Sequence, residues 1–504
     1  MSFARVRRVN LQVISRLSVE IVPSTFLALA AIATLFAIGP YRGLWAFIGL
    51  APFGAAAALN LPAVGGATIG QLELTLCFVL LIAAASPGGP DRLVGTLRPG
   101  QPGFWLLLVI LYGVLSAAFL PRVFAGATDI FGLSRDVNAD RIISIPLGPS
   151  NGNITQTFYM VLSAACFLAV ATLFRVRPDE KAVLTAMVVC TSVNFGLGMI
   201  DVISSFVGLP ELLDPIRTAN YAMATQHTMA GIKRMVGGFP EASAFGAFTV
   251  VLFGFWLHYW VIAPRSRLVT AMFAMTAFCV LRSTSSGAYV ALIGLLGVYS
   301  IWLVWVASRG RFSRRVASVL VWMILGTWLL GVGVVTAYNL VPGVTEFLDD
   351  TLLNKLESDS GVERMSWNIQ AWKNFVETWT MGAGLGSVRA SNWLMACLGS
   401  LGILGTAAYL AFLGSMFRAP AQTGVETRDH VIQALKVACL AQVIAAMPTA
   451  PTPNLGTSFF IFAGLIVGLS RSAAAARDLP MPMPVARRPG HQRRPSSAIA
   501  ARRS

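Results

Sequence analysis

Residues 233–262 read KRMVGGFPEASAFGAFTVVLFGFWLHYWVI. Beyond Glu241 this run carries no Asp, Glu, Lys or Arg. A helix needs about 20 predominantly apolar residues to cross a bilayer core, and the run supplies them. Trp, Tyr or Ser would ordinarily edge such a helix, yet Lys233, Arg234 and Glu241 stand at its mouth. The stretch therefore reads as a membrane span with a candidate functional edge.

The same apolar pattern recurs along the chain. Of 504 residues, 56% are hydrophobic and 12% charged, where a soluble domain carries about a quarter charged. Apolar segments fall near 22–39, 43–58, 70–86, 103–120, 156–174, 182–208, 240–262, 268–281, 287–306, 317–338, 392–414, 431–447 and 457–470. The pieces 43–58 and 268–281 are short for full spans. The first apolar run lacks a small-residue cleavage site and is followed by many more, so it does not read as a cleaved signal peptide. The expectation is an all-α polytopic membrane protein with about twelve spans and both ends on one side. Residues 1–21 would form a basic cytoplasmic N-terminus, 22–471 the membrane domain and 472–504 a basic, disordered tail rich in Pro, Ala and Arg.

Charge sets the sidedness. Loops 92–100, 174–181, 264–267 and 308–315 are basic and should face the cytoplasm. Segments 121–155, 209–239, 282–286 and 339–391 then lie on the other side. Strict alternation leaves Arg5, Arg7, Arg8 and Arg16 outside, in conflict with the same rule. That conflict puts the span assignment of the first 70 residues in question. The net charge of +16 is concentrated at the chain ends, as expected for a topology signal touching anionic headgroups rather than for nucleic-acid binding. The six cysteines lie within apolar segments with no C-x-x-C spacing, and the four histidines are scattered. Neither set suggests a disulfide framework or a metal site.

Glu73 and Asp201 are the ionisable residues within apolar stretches, and each can reach a helix end. So few intramembrane charges argue against an ion-coupled transporter and for a site at the outer surface. Four stretches meet there. They are 233–248 with Arg234 and Glu241, LRSTSSGAY (281–289) with Arg282, ERMSW (363–367) with Arg364 and Trp367, and GAGLGSVRASNW (382–393) with Gly384, Gly386, Arg389 and Asn392. Guanidinium groups pair with phosphate oxygens, and glycine turns and helix N-termini offer free N–H groups to anions. The natural ligand is a phosphate or pyrophosphate at headgroup level. Each piece also has a plainer reading: a local Arg234–Glu241 ion pair, a snorkelling Arg282, and glycines that only permit a tight turn. GAGLG is not a dinucleotide motif, because no βαβ unit surrounds it. In 363–379, Trp367, Ala371, Trp372, Phe375 and Trp379 are expected on one helical face, against the bundle or the membrane interface.

In order and spacing, KRMVGGFPEASAFGAF, STSSGAY, ERMSWNIQAW, GAGLGSVRASN and LGSLGILGTAAYLAFL resemble the bacterial O-antigen ligase and polysaccharide polymerase superfamily, most closely the exopolysaccharide polymerases, over roughly residues 180–415. The resemblance implies a metal- and cofactor-independent membrane glycosyltransferase of the C-type class with a large periplasmic loop. It would work at the periplasmic face of the bacterial inner membrane on glycans carried by undecaprenyl pyrophosphate. It also implies that Arg234 and Arg364 match family arginines, and Gly382, Gly384 and Gly386 a glycine-rich loop end. Ser391 and Asn392 stand where ligases commonly show His-Asn, which favours a polymerase. On this reading Arg234 and Arg364 hold pyrophosphate, with Arg282 or Arg389 in support. Glu241, or secondarily His227, activates the acceptor hydroxyl. Expected partners are the lipid-linked donor and acceptor, inner-membrane lipids, and chain-length and export proteins. A ligase acting on lipid A core or protein, and a lipid-linked glycan flippase, are the alternatives.

Overall fold

The structure, a computed structural model, describes residues 19–477 apart from 62–66, 134–141, 222, 230–231, 310–313, 343–344 and 346–358. Glu346, Asp349, Asp350 and Glu357 of the long loop, the N-terminal arginines and residues 478–504 lie outside the described residues. The chain is mainly helical. It begins with α1 (Thr25–Arg42) and the short α2 (Leu44–Ile48), then a hairpin of β1 (Ala57–Leu61) and β2 (Ala67–Gly70). Helices α3 (Gln71–Ala85), α4 (Gly89–Thr96) and α5 (Pro102–Val123) follow, then the hairpin of β3 (Asp129–Leu133) and β4 (Ile142–Pro146). Next come α6 (Asn151–Val176), α7 (Glu180–Phe206) and the two-residue strands β5 (Thr228–Met229) and β6 (Ile232–Lys233). Helices α8 (Ala242–Ile262), α9 (Arg267–Arg282), α10 (Ser286–Ser308), α11 (Arg314–Leu340), α12 (Asp359–Glu377), α13 (Trp393–Phe417), α14 (Glu426–Ala446) and α15 (Thr457–Arg477) complete it.

Among the described residues, eight helices are long and apolar enough to cross a membrane, or nine if the α3–α4 pair is one span bent by 110°. The chain is thus a helical, multi-pass membrane protein. Helix α8, built from the opening stretch, is its centre, with 83% of its apolar window buried. Its small faces explain the position: Gly246 lets Ala288 of α10 approach, and Gly254 admits Ala441 of α14. Helix α6 packs along α15, and α5 along α13. Polar starts follow local capping: Asp179 accepts from Ala182 N, Ser266 from Val269 N and Ser285 from Ala288 N.

Two apolar segments depart from simple spans. Segment 43–58 holds only the five-residue α2 and then turns back to β1. Segment 268–281 is a 16-residue helix, α9. Helix α1 is itself broken at Gly39, φ 81°, ahead of Pro40. The chain therefore enters and returns within residues 24–57, since Ser24 Oγ donates to Ala57 O at 2.7 Å. Glu20 pairs with Asn60, whose side chain donates to Thr218 O at 3.1 Å, so residue 20 sits beside the 217–220 segment. Residues 472–477, expected in the tail, continue α15 as helix.

The loops sort to two ends as alternation demands. At one end Arg471 Nη2 reaches Gly100 O (3.4 Å), Arg428 pairs with Glu180 (3.1 Å) and Arg177 lies 5.2 Å over the Tyr41 ring. This basic end gathers loops 92–100, 174–181 and 418–428. At the other end Ala55 N donates to Gly238 O (2.8 Å), Arg282 Nη1 to Lys233 O (2.7 Å), Asn153 Nδ2 to Leu385 O (2.8 Å) and Ala390 N to Pro451 O (3.2 Å). All three hairpins lie at this end.

Candidate functional site

The polar end is organised by a buried carboxylate in the last turns of α7. Asp201, 2% exposed, meets Arg217 Nη2 at 2.7 Å and Lys233 Nζ at 3.6 Å, and accepts from Val236 N (2.8 Å) and Gly237 N (3.2 Å). Arg217 also donates to Gly237 O from Nε (3.3 Å) and Nη2 (2.8 Å). Gly237 has φ 58°, and an added Cβ there would press on Phe245 and Gly198. One carboxylate with two cations and two backbone N–H groups therefore pins segment 233–237 onto α7. Burial lowers the Lys233 ammonium from its ordinary value, and Asp201 opposes that shift. Arg217 gave no signal in sequence, because a lone arginine in a polar loop resembles any solvated charge.

Arg234 lies within this pinned segment. It is half-buried, its Nε is wholly buried without an acceptor, and among the described residues no carboxylate lies within ion-pair distance. Burial lowers its guanidinium from the ordinary value, while the charge of Glu241 pulls the other way. The Glu241 carboxylate instead accepts from Ser243 Oγ. A closed Arg234–Glu241 ion pair is therefore not formed. Arg282 is held nearby by its bond to the Lys233 carbonyl. The hydroxyls beside it are structural: Ser283 Oγ donates to Val280 O, Thr284 takes φ 47°, and Ser285 caps α10. His227 is exposed, and its backbone carbonyl accepts from Arg234 N at 3.2 Å. Glu241 and Ser243 line a cavity of about 250 Å³ opposite Gln442, Thr449, Pro451 and Asn454.

The glycine-rich segment leads into Ala390, whose N–H donates to the cavity-lining Pro451 carbonyl. Gly382, Gly384 and Gly386 have φ of 86°, 96° and 86°. An added Cβ would stand 2.6 Å from Gly402 N, 2.8 Å from Ser116 O and 2.2 Å from Gly152 O. The glycines thus serve close backbone packing. Their neighbourhood's N–H groups are also taken: Ala383 N donates to Gly399 O, Gly384 N to Ser400 O and Leu385 N to Ser116 Oγ. Asn392 caps α13, its Oδ1 accepting from Leu394 N and Met395 N. The N–H groups of residues 383–385 are therefore spent within the protein, which narrows the expected anion cradle to what the side-chain guanidiniums and the remaining N–H groups offer.

Arg389 is exposed and lies 5.4 Å over the Trp367 ring, joining the segment to α12. Asn368 Oδ1 accepts from Ser391 N at 2.8 Å. Arg364 is exposed one turn earlier on α12. Arg364, Trp367 and Arg389 therefore form one group and Arg234, Arg282 and Glu241 another. The Ala390–Pro451 bond and the cavity beside Glu241 connect the two.

In comparisons with known proteins, no family model matches the chain, and no curated protein is significantly similar to it.

Proposed function

We propose that this protein is a membrane glycosyltransferase that joins undecaprenyl-pyrophosphate-linked oligosaccharide units into a longer polysaccharide at the periplasmic face of the bacterial inner membrane. The observation that carries the reading is Arg234: a half-buried guanidinium with a buried, unpartnered Nε, held at the polar end by a buried ion cluster. A desolvated cation without a protein anion calls for an anionic ligand. Arg282 and, from the α12 side, Arg364 and Arg389 supply further positive charge for a diphosphate. The motif order described above gives the substrate class.

In this reading the acceptor hydroxyl attacks the anomeric carbon of the donor, and the lipid pyrophosphate leaves with both bonding electrons. The configuration inverts. The leaving group is already good, so the demand on the protein is charge stabilisation and alignment. Glu241 takes the acceptor proton from the cavity shared with Gln442 and Asn454. A groove of about 690 Å³ between α5 and α6, lined by Val114, Ile154, Phe158 and Val161 with Arg122 and Asn151 among its polar members, suits an isoprenoid chain. With residues 24–57 entering and returning to the polar end, α3, α5 to α11 and α13 to α15 give eleven further crossings, with the polar end periplasmic. Chain-length and export proteins are the natural partners for such a product.

Glu241→Gln tests the base. The expected result is normal membrane insertion with little or no high-molecular-weight glycan on gels of cell extracts. Full polymer in that variant would leave Glu241 a structural partner of Ser243. A single glycan conjugate on lipid A core, rather than a ladder, would mark a ligase instead.

A further inference from the structure

At the opposite, basic end a second cavity of about 340 Å³ lies between α8, α10, α13 and α14. Its walls include His258, Tyr299, Trp302, Phe417, Gln433 and Lys436. His258 sits in the last turns of α8, and Phe417 is the last residue of α13, so the cavity is near the basic loops. Val298 and Trp302, which form part of its rim, are exposed on α10, so its mouth opens sideways at membrane depth rather than into the loops.

Inside, His258 is buried and its Nδ1 lies 2.9 Å from the Tyr299 hydroxyl. The two rings meet edge to face, as do His258 and Trp302. Lys436 donates to Ala419 O. An ammonium has three N–H donors, and among the described residues no carboxylate pairs with this one. Arg418 follows directly after Phe417 and adds a second cation nearby. The lining suits an amphiphile that is apolar along Val298, Val437 and Leu440 and negative where it meets Lys436. A choline or ethanolamine head would bring like charge to Lys436, with no acid among the cavity-lining residues to offset it.

We propose that this cavity binds one anionic glycerophospholipid of the membrane leaflet at the basic end, with its phosphate on Lys436 and its chain leaving past Trp302. The site is independent of the glycan reading, because it lies at the other end of the bundle and shares none of its residues. The full-length protein, exchanged into detergent with equal amounts of phosphatidylglycerol and phosphatidylcholine, is examined by native mass spectrometry. The wild type is expected to keep one phosphatidylglycerol under activation that strips phosphatidylcholine. Lys436→Gln and Trp302→Ala should each lose that retained lipid, while Lys181→Ala, an exposed cation at the same end, keeps it. Inorganic phosphate should not displace it. Equal retention of both lipids by the wild type overturns the proposal even if a variant fails to fold. Retention undiminished in Lys436→Gln, or displacement by phosphate alone, also overturns it.

Discussion

Arg234 and Asp201 divide the labour at the scale of the residue. Among the described residues Arg234 makes no side-chain hydrogen bond or ion pair, so its loss should be felt in function rather than in folding. Arg234→Ala is expected to reach the membrane in normal amount and to abolish chain extension, as is Arg364→Ala on exposed α12. Polymer of normal length in both variants would remove the pyrophosphate role. Asp201 is the reverse case. Removing its charge leaves the buried Arg217 and the half-buried Lys233 without a counter-ion, and breaking a buried pair costs about 3–5 kcal/mol. Asp201→Asn should therefore melt several degrees lower in detergent, measured by intrinsic fluorescence. An unchanged melting curve would show that segment 233–237 is held by other means. Arg234 and Glu241 were legible in sequence because charge at the mouth of an apolar run is costly and conspicuous. Arg217 was not, since only the fold brings it to Asp201. Asn392 and the glycines were legible as special positions, but spacing alone does not distinguish N–H groups offered to a ligand from those already bonded within the protein.

At the scale of the element, α13 shows how the polar end is built. The helix is interrupted at Gly402, φ 61° and ψ −164°. The carbonyls of Gly399 and Ser400 are thereby free to accept from Ala383 N and Gly384 N, while Ile403 N donates to Thr380 O. The backbone groups released by the break thus find partners, as a low-dielectric setting requires. A Cβ on Gly402 would lie 2.3 Å from the Met381 carbonyl in a backbone region that favours glycine. Gly402→Ala is expected to prevent stable folding. Gly297→Ala, where nothing lies within 4 Å, should be neutral or stabilise by about 0.5–1 kcal/mol. Comparable expression and melting for the two variants would argue that the interruption is incidental. Helix α12 was legible as a helix, but its buried face was not. Ala371, Asn374, Phe375 and Thr378 are buried, whereas Trp372 and Trp379 are exposed. The polar members Asn374 and Thr378 hid that face, because Asn374 is spent on Thr128 and Asp129 O of the neighbouring hairpin. The hairpins themselves left no trace in hydropathy, being too short for a period to emerge.

For the whole molecule, alternation of basic and polar loops was an expectation from charge alone, and the described contacts bring loops 92–100 and 174–181 together at one end. The charge conflict and the short 43–58 segment flagged the first 70 residues, but the return of the chain within residues 24–57 was not itself legible, because a five-residue helix followed by turns is as apolar as part of a span. Sidedness follows as a prediction from two exposed positions at opposite ends, Gln226 and Lys181. Gln226→Cys should react with a membrane-impermeant maleimide on cells with a permeabilised outer membrane, and Lys181→Cys only after lysis. Labelling of Lys181→Cys from outside would invert the proposed orientation. The central step is the gripping of a diphosphate-linked glycan at Arg234 and its lengthening there. Its most direct measurement is gel analysis of purified protein incubated with lipid-linked repeat units. The predicted result is a ladder rising one repeat at a time with the wild-type protein and none with Arg234→Ala; repeat units left unextended by the wild type, or an undiminished ladder in the variant, would contradict it.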